Sequence, residues 1–174
     1  GPGRTLPGPD PVKVITKQFE TGALGDYAGN HGDLSPGARG ENTDFYFGGN
    51  GTGVIISARP TCDGSQVIGW TDKIRTKDIK DGLSKTFLIG EMHVSRQSLR
   101  MLPSDGPIYC GSELYYSSRI VGPGARLALG PNDDSASQYA FGSWHTGICH
   151  FANADGSVKA IPVDTSTTVL ANMG

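Results

Sequence analysis

The sequence predicts a mainly β domain of the α+β class, an antiparallel sheet with one or two short helices. Three observations predict it. The C-terminal stretch 141–163 has the grammar of a β-hairpin: an apolar-rich run from Ile148 to Ala152, then Asn153-Ala-Asp-Gly156, then Val158 to Val163. Asp-Gly between two strand-like runs marks a tight turn, because glycine accepts positive φ there. The other apolar runs are short and strand-sized, Thr86 to Val94 being the plainest. Glycine and proline supply 26 and 11 of the 174 residues, below the level of a low-complexity chain but enough to join many short strands by turns.

Taken in order, residues 1–25 form a Pro/Gly-rich opening segment in which Val12 to Phe19 alternates as a first strand. Its start, Gly1-Pro-Gly-Arg-Thr-Leu-Pro-Gly-Pro-Asp-Pro11, is too proline-rich for a helix. Residues 26–174 form a single β-rich domain with one core. Gly22 to Gly40 reads as loop, with Tyr27 and His31 as landmarks. Asp44 to Phe47 and Gly53 to Ser57 read as strands around a Gly48–Thr52 turn, and Val67 to Trp70 as another strand. Thr76 to Asp81 reads as one helical turn stopped by Gly82. The strand Thr86 to Val94 places Glu91 and His93 two apart on one face. Pro107 to Ile120 reads as strand-rich and Gly122 to Ser137 as a long surface loop. After the hairpin, Asp164 to Asn172 reads as a short capped helix.

Charge and composition exclude several classes. A net charge of −2, with no basic stripe carrying interleaved aromatics, gives no electrostatic case for nucleic acid or anionic membranes. No run is apolar enough for a transmembrane helix or signal peptide. Cys62, Cys110 and Cys149 have no close-paired or zinc-type spacing. An oxidising compartment would permit one disulfide with one thiol left over, and burial of all three as small apolar residues is the alternative.

Three segments carry a resemblance. His145 is followed by nine residues and then Asp155-Gly156; Asp78-Ile-Lys-Asp-Gly-Leu-Ser-Lys-Thr-Phe-Leu-Ile-Gly-Glu91 and Asp26-Tyr-Ala-Gly-Asn30 lie upstream. Together, and in this order, they resemble the C-terminal H-x9-DG domain, the I-x-D-G-T-S-N-T-hydrophobic-G-E segment and the D-Y-A-G-N segment of prepilin-like proteins abundant in planctomycetes and related bacteria. Leu83 and Lys85 depart from the usual Thr and Asn of the second segment. The resemblance runs from about Asp26 to the end of the chain. It implies a non-enzymatic, extracytoplasmic head domain of a pilin- or pseudopilin-like subunit in the bacterial cell envelope or at its surface, working in fibre or secretion-system assembly. It also implies other pilin-like subunits or assembly proteins as partners. Such proteins begin with a basic leader and a long apolar helix that crosses the sheet. Neither is in this sequence, so the expectation is a soluble head of a longer protein, touching the membrane only through the missing helix.

Candidate chemistry is sparse. His145 with Asp155 as orienting partner is the obvious pair for a base or metal ligand, but no nucleophile is marked: Ser143 lies in Phe-Gly-Ser-Trp-His, not in a strand–elbow–helix context. The structural reading makes His145, Asp155 and Gly156 fix the hairpin, with His145 bonded to backbone, and Asp81-Gly82 fix an earlier turn. Glu91 ends the second segment, and with His93 it supplies only two metal ligands. No cofactor is expected. Calcium is the exception worth weighing, because Asn132-Asp133-Asp134 offers hard oxygen ligands, though fewer than that ion needs. Gly49-x-Gly51-x-Gly53 precedes an apolar run instead of opening a helix, so a turn explains it better than a phosphate loop. Asn50-Gly-Thr52 is likewise read as a turn and not as a glycosylation acceptor. Trp70, Tyr109, Tyr115, Tyr116 and Trp144 could present flat faces to sugar rings, the alternative being a surface-displayed carbohydrate- or solute-binding module; packing in the core is the competing role for such residues.

Overall fold

The computed structural model describes residues 23–33, 52–56, 59–71, 74–101, 104–108 and 116–174. The expected strands at Val12 to Phe19 and Asp44 to Phe47, together with Tyr109, Cys110 and Tyr115, lie outside the described residues. Five strands form the main sheet: β1 (Tyr27–Gly32), β4 (Phe87–Glu91), β5 (Ser118–Ile120), β6 (Ile148–Asn153) and β7 (Val158–Pro162), in the order β5-β1-β4-β6-β7. A separate antiparallel hairpin joins β2 (Arg59–Asp63) to β3 (Gln66–Thr71). One short helix, α1 (Thr167–Ala171), closes the chain, its first turn capped by Ser166, whose Oγ accepts from the Val169 N–H. The domain is mainly β. No helix among the described residues is long and apolar enough to cross a membrane.

The sheet is antiparallel at three of its interfaces, but β5 runs parallel to β1. The expected hairpin is β6–β7, paired from Ile148↔Pro162 to Ala152↔Val158. Its strand β6 alternates: Cys149, Phe151 and Asn153 point into the core, while Ile148, His150 and Ala152 are half-buried on the other face. Phe151 stacks on Phe87 at 4.0 Å and meets Phe141 edge-on at 5.0 Å. Around this aromatic centre pack Ala28, Leu127, Cys149, Ile161 and Leu170. Gly90 makes the packing possible, because a Cβ there would stand 2.5 Å from the Phe151 ring.

Several expected elements come out differently. The segment expected as loop contains β1, whose Gly29 lies so close to Ile55 that a Cβ would come within 2.8 Å of it. Gly53 to Ile55 is a bend; it follows β1 through single bonds from Gly53 N–H to His31 O and from Ile55 N–H to Asn30 O. The strand expected to reach Val94 ends at Glu91, after which Met92 bridges to Phe141. From Pro107 to Ile120 the only strand among the described residues is β5. The 122–137 stretch is irregular but no mere surface loop, because Ala125, Leu127 and Ala128 are buried in it. The turn at Thr76 is a single 3-10 turn, Thr76–Asp78, and Gly82 follows with φ +95°.

Strands β4 and β6 lie side by side and run in opposite directions, pairing Phe87↔Asn153 and Gly90↔Phe151. At one end two turns dock together: Ala154 N–H donates to Thr86 O, Asp155 N–H to Leu83 O, and Lys159 Nζ to Ser84 O. Asp155 shapes its own turn by accepting from Ser157 N–H and Oγ–H. Glu91 and the 143–147 loop lie at the opposite end.

Candidate functional site

At that opposite end the register of β4 and β6 brings Glu91 beside His150. The His150 N–H donates to Glu91 Oε2 at 2.6 Å, and the same oxygen lies 3.1 Å from His150 Nδ1. The other carboxylate oxygen, Oε1, lies 3.1 Å from His145 Nε2. Glu91 is 12% exposed, whereas the His145 side chain is 60% exposed. The two imidazoles meet edge-to-face, centroids 5.1 Å apart. One ligand atom from each of the three residues lies within 4.8 Å of the others.

The loop that carries His145 is held by Ser143, whose Oγ donates to Ile148 O at 2.6 Å and accepts from His145 N–H at 3.0 Å. Ser143 is buried and fully engaged, so it is no nucleophile for His145. The pairing of His145 with Asp155, weighed against their structural roles, does not form, because β6 separates them. Among the described residues no hydrogen bond joins the His145 ring to backbone; its side chain faces Glu91. The Glu91–His93 face also dissolves: the strand ends at Glu91, and His93 Nε2 donates instead to the Asp133 carbonyl at 3.1 Å. Burial holds the His93 imidazole below its ordinary pKa.

A cavity of about 520 Å³ opens over this end of the sheet, walled by Asp26, Tyr27, Glu91, Arg100, Trp144 and His145 among others. Asp26 and Tyr27 come from the first of the three sequence segments, Glu91 ends the second and His145 begins the third. Tyr27 is 62% and Trp144 48% exposed. Trp144 is fixed by its indole N–H, which donates to Val94 O at 3.1 Å, and the Arg96 guanidinium lies 5.3 Å from its ring centroid. Arg100 has φ 59°, the only positive φ outside glycine among the described residues, and its N–H donates to Asp105 Oδ2 at 2.7 Å.

The expected aromatic platform is only partly assembled. Trp144 lies on the cavity, Trp70 is exposed on the separate β2–β3 hairpin, and Tyr116 is a core residue at 1% exposure, so it offers no face to a ligand. Tyr27 takes a place at the cavity that its sequence context, read as loop, did not suggest. The acidic tripeptide is also committed elsewhere. Asp133 accepts from Arg126 at 2.6 and 3.0 Å, from Leu129 N–H at 2.8 Å and from Ser135 Oγ at 2.7 Å. Those bonds hold its carboxyl well below the usual carboxylate range. Asp134 accepts from Gln97 Nε2 at 2.7 Å. With its charge answered by Arg126, Asp133 organises a loop and leaves little for a calcium ion. Cys149 is buried and Cys62 half-buried, both as free thiols. Asp81 and Gly82 stay at the docked turns, remote from the cavity.

Fold and site together define a mainly β domain with a cavity at one end of its sheet, lined by apolar, aromatic and charged side chains. The chain belongs to the family described as "Protein of unknown function (DUF1559)", which it matches over residues 19–166. Neither a curated protein nor a solved structure matches it.

Proposed function

We propose that this domain is a non-enzymatic, surface-displayed binding module for a carbohydrate or similarly hydroxylated solute, with the cavity at the Glu91 end of the sheet as its site. The observation that carries the reading is convergence: residues of three separated sequence segments, Tyr27, Glu91 and His145, wall one cavity. Exposed aromatic faces beside a few fixed polar groups suit sugar rings, which stack through C–H surfaces and donate hydroxyl protons to carboxylates. The engagement of Ser143, whose hydroxyl is bonded to Ile148 O and to the His145 N–H, supports a binding role over hydrolysis. The test is a panel of soluble glycans and small solutes followed by NMR of the Trp144 indole in chelator-treated protein. Saturable shifts that vanish in Tyr27→Ala, which keeps the indole reporter, are expected; a panel that moves no resonance sinks the reading.

A second reading, compatible with the first, is that this module is the extracytoplasmic head of a pilin-like subunit in an envelope fibre or secretion assembly. It is supported by the resemblance of the three ordered segments and by one surface row. Ile89 pairs with Ala152 and Ala152 with Val158, so the three share one face of the sheet, and Ile89 and Val158 are exposed. An apolar helix laid across that face would bury this row. The full reading frame decides it: an apolar helix encoded upstream is expected, and its absence there removes the pilin-like reading.

A further inference from the structure

The geometry points to a divalent transition-metal site made of Glu91, His145 and His150, of the class that takes zinc. It deepens the binding reading by naming what lies at the cavity's inner edge, and it rests on that reading only for the occupant of the ion's open position.

Donor atoms at about 2.0–2.1 Å from a tetrahedral ion stand about 3.3 Å from one another. Glu91 Oε1 and His145 Nε2 are 3.1 Å apart, and Glu91 Oε2 and His150 Nδ1 are also 3.1 Å apart. The third separation, between the imidazole nitrogens, lies within 4.8 Å. It can shorten by rotation of His145, whose side chain is 60% exposed. The carboxylate presents one oxygen to each imidazole, Oε1 to His145 and Oε2 to His150, as a chelating carboxylate would. Its Oε2 is anchored by the His150 N–H at 2.6 Å, which leaves Oε1 to face His145. Such anchoring of a ligating carboxylate by a supporting hydrogen bond is what fixes ligand orientation in metal centres.

Two imidazoles and one carboxylate are borderline ligands suited to zinc and its neighbours and poorly suited to calcium, which demands six or more oxygens. Three protein ligands leave a position open, and both Glu91 and His145 wall the cavity, so the open position is available to a solute oxygen. The competing account is a hydrogen-bonded triad in which each imidazole N–H donates to Glu91. Both accounts predict the same resting contacts and differ in what added metal does.

Titration of chelator-treated protein with zinc chloride, followed by calorimetry, separates them. One ion per chain is expected, with cobalt(II) giving the visible bands of a low-symmetry nitrogen–oxygen site. His145→Gln and His150→Gln should each weaken zinc binding by at least about tenfold, the scale on which even supporting residues act. Asp133→Asn should leave it unchanged. His145 is exposed, so that variant keeps the fold, and near-UV circular dichroism checks it. Non-saturable binding, or equal affinity in His145→Gln, overturns the site and leaves the hydrogen-bonded triad. Glycan shifts in the chelated protein would keep the binding reading alive if zinc fails, and stoichiometric zinc without any solute shift would do the reverse.

Discussion

Glu91 Oε1 faces His145 Nε2 at 3.1 Å, joining the end of a central strand to an exposed loop. The carboxylate also takes the His150 N–H, so Glu91 does structural work whether or not a ligand is present. Glu91→Ala should leave that amide without its partner and lower stability by about 1–3 kcal/mol. Glu91→Gln keeps an acceptor and should cost less. Urea denaturation of the two variants measures the difference.

Gly90 should tolerate no side chain. A Cβ would stand 2.5 Å from Phe151 and 2.8 Å from Phe141, and the stacked rings of Phe87 and Phe151 leave them little room to retreat. Gly90→Ala is expected to destabilise by about 1–3 kcal/mol or more, the cost of overpacking a core. A midpoint unchanged in urea would mean that the aromatic cluster repacks freely.

His145 and Asp155 stand at opposite ends of a six-residue strand, about 20 Å long at 3.3 Å per residue. Side chains so far apart, with no shared partner, should contribute independently. The effects of His145→Ala and Asp155→Ala on thermal midpoint should add in the double variant, and a clear departure from additivity would restore a direct partnership.

Acid should loosen the His93–Asp133–Arg126 corner. The folded pKa of His93 is lowered by burial and that of Asp133 by its bond to Arg126. In both cases the unfolded chain binds protons first, so each contribution is present above the unfolded pKa and is lost as pH falls through the folded one. The window opens below about 6.5 for the histidine and below about 3.9 for the carboxylate. Thermal midpoints measured between those values should fall less steeply in His93→Gln than in the parent chain.

Cys149 should resist thiol reagents in the native state. Burial, reinforced by the neighbouring Glu91 charge, pushes its pKa up to about 12, and the thiolate is the reactive form. Peptide mapping after iodoacetamide at neutral pH should find Cys149 unmodified while half-buried Cys62 reacts. Labelling of Cys149 before global unfolding would show that this end of β6 opens locally.

What was legible in the sequence was local. The β6–β7 hairpin, β3 and the capped C-terminal helix each carry their signal in a few adjacent residues, a turn pair or a cap. Strand β1 does not: Tyr27-Ala-Gly-Asn-His-Gly32 lacks an apolar alternation because Ile55 presses on Gly29. The burial of Leu127 and Ala128 was equally hidden, since an irregular segment that covers a core has no period. The candidate site was half visible. His145 and Glu91 stood out in their own segments, but their meeting depends on the register of β4 against β6, a long-range pairing with no local trace. For the same reason the sequence could only weigh His145 against Asp155 as a pair, and strand β6 holds them apart.

The nine-residue interval between His145 and Asp155 has a physical meaning: six of those residues, Ile148–Asn153, are strand β6. A strand also keeps parity, with odd positions such as Phe151 buried in the core and even positions such as His150 half-buried on the opposite face. Removing a single residue from the strand would do more than shorten it. Every side chain beyond the cut would change sides, sending the ring into water and the imidazole into the core. Length here can change only in steps of two, and only if β4 changes with it.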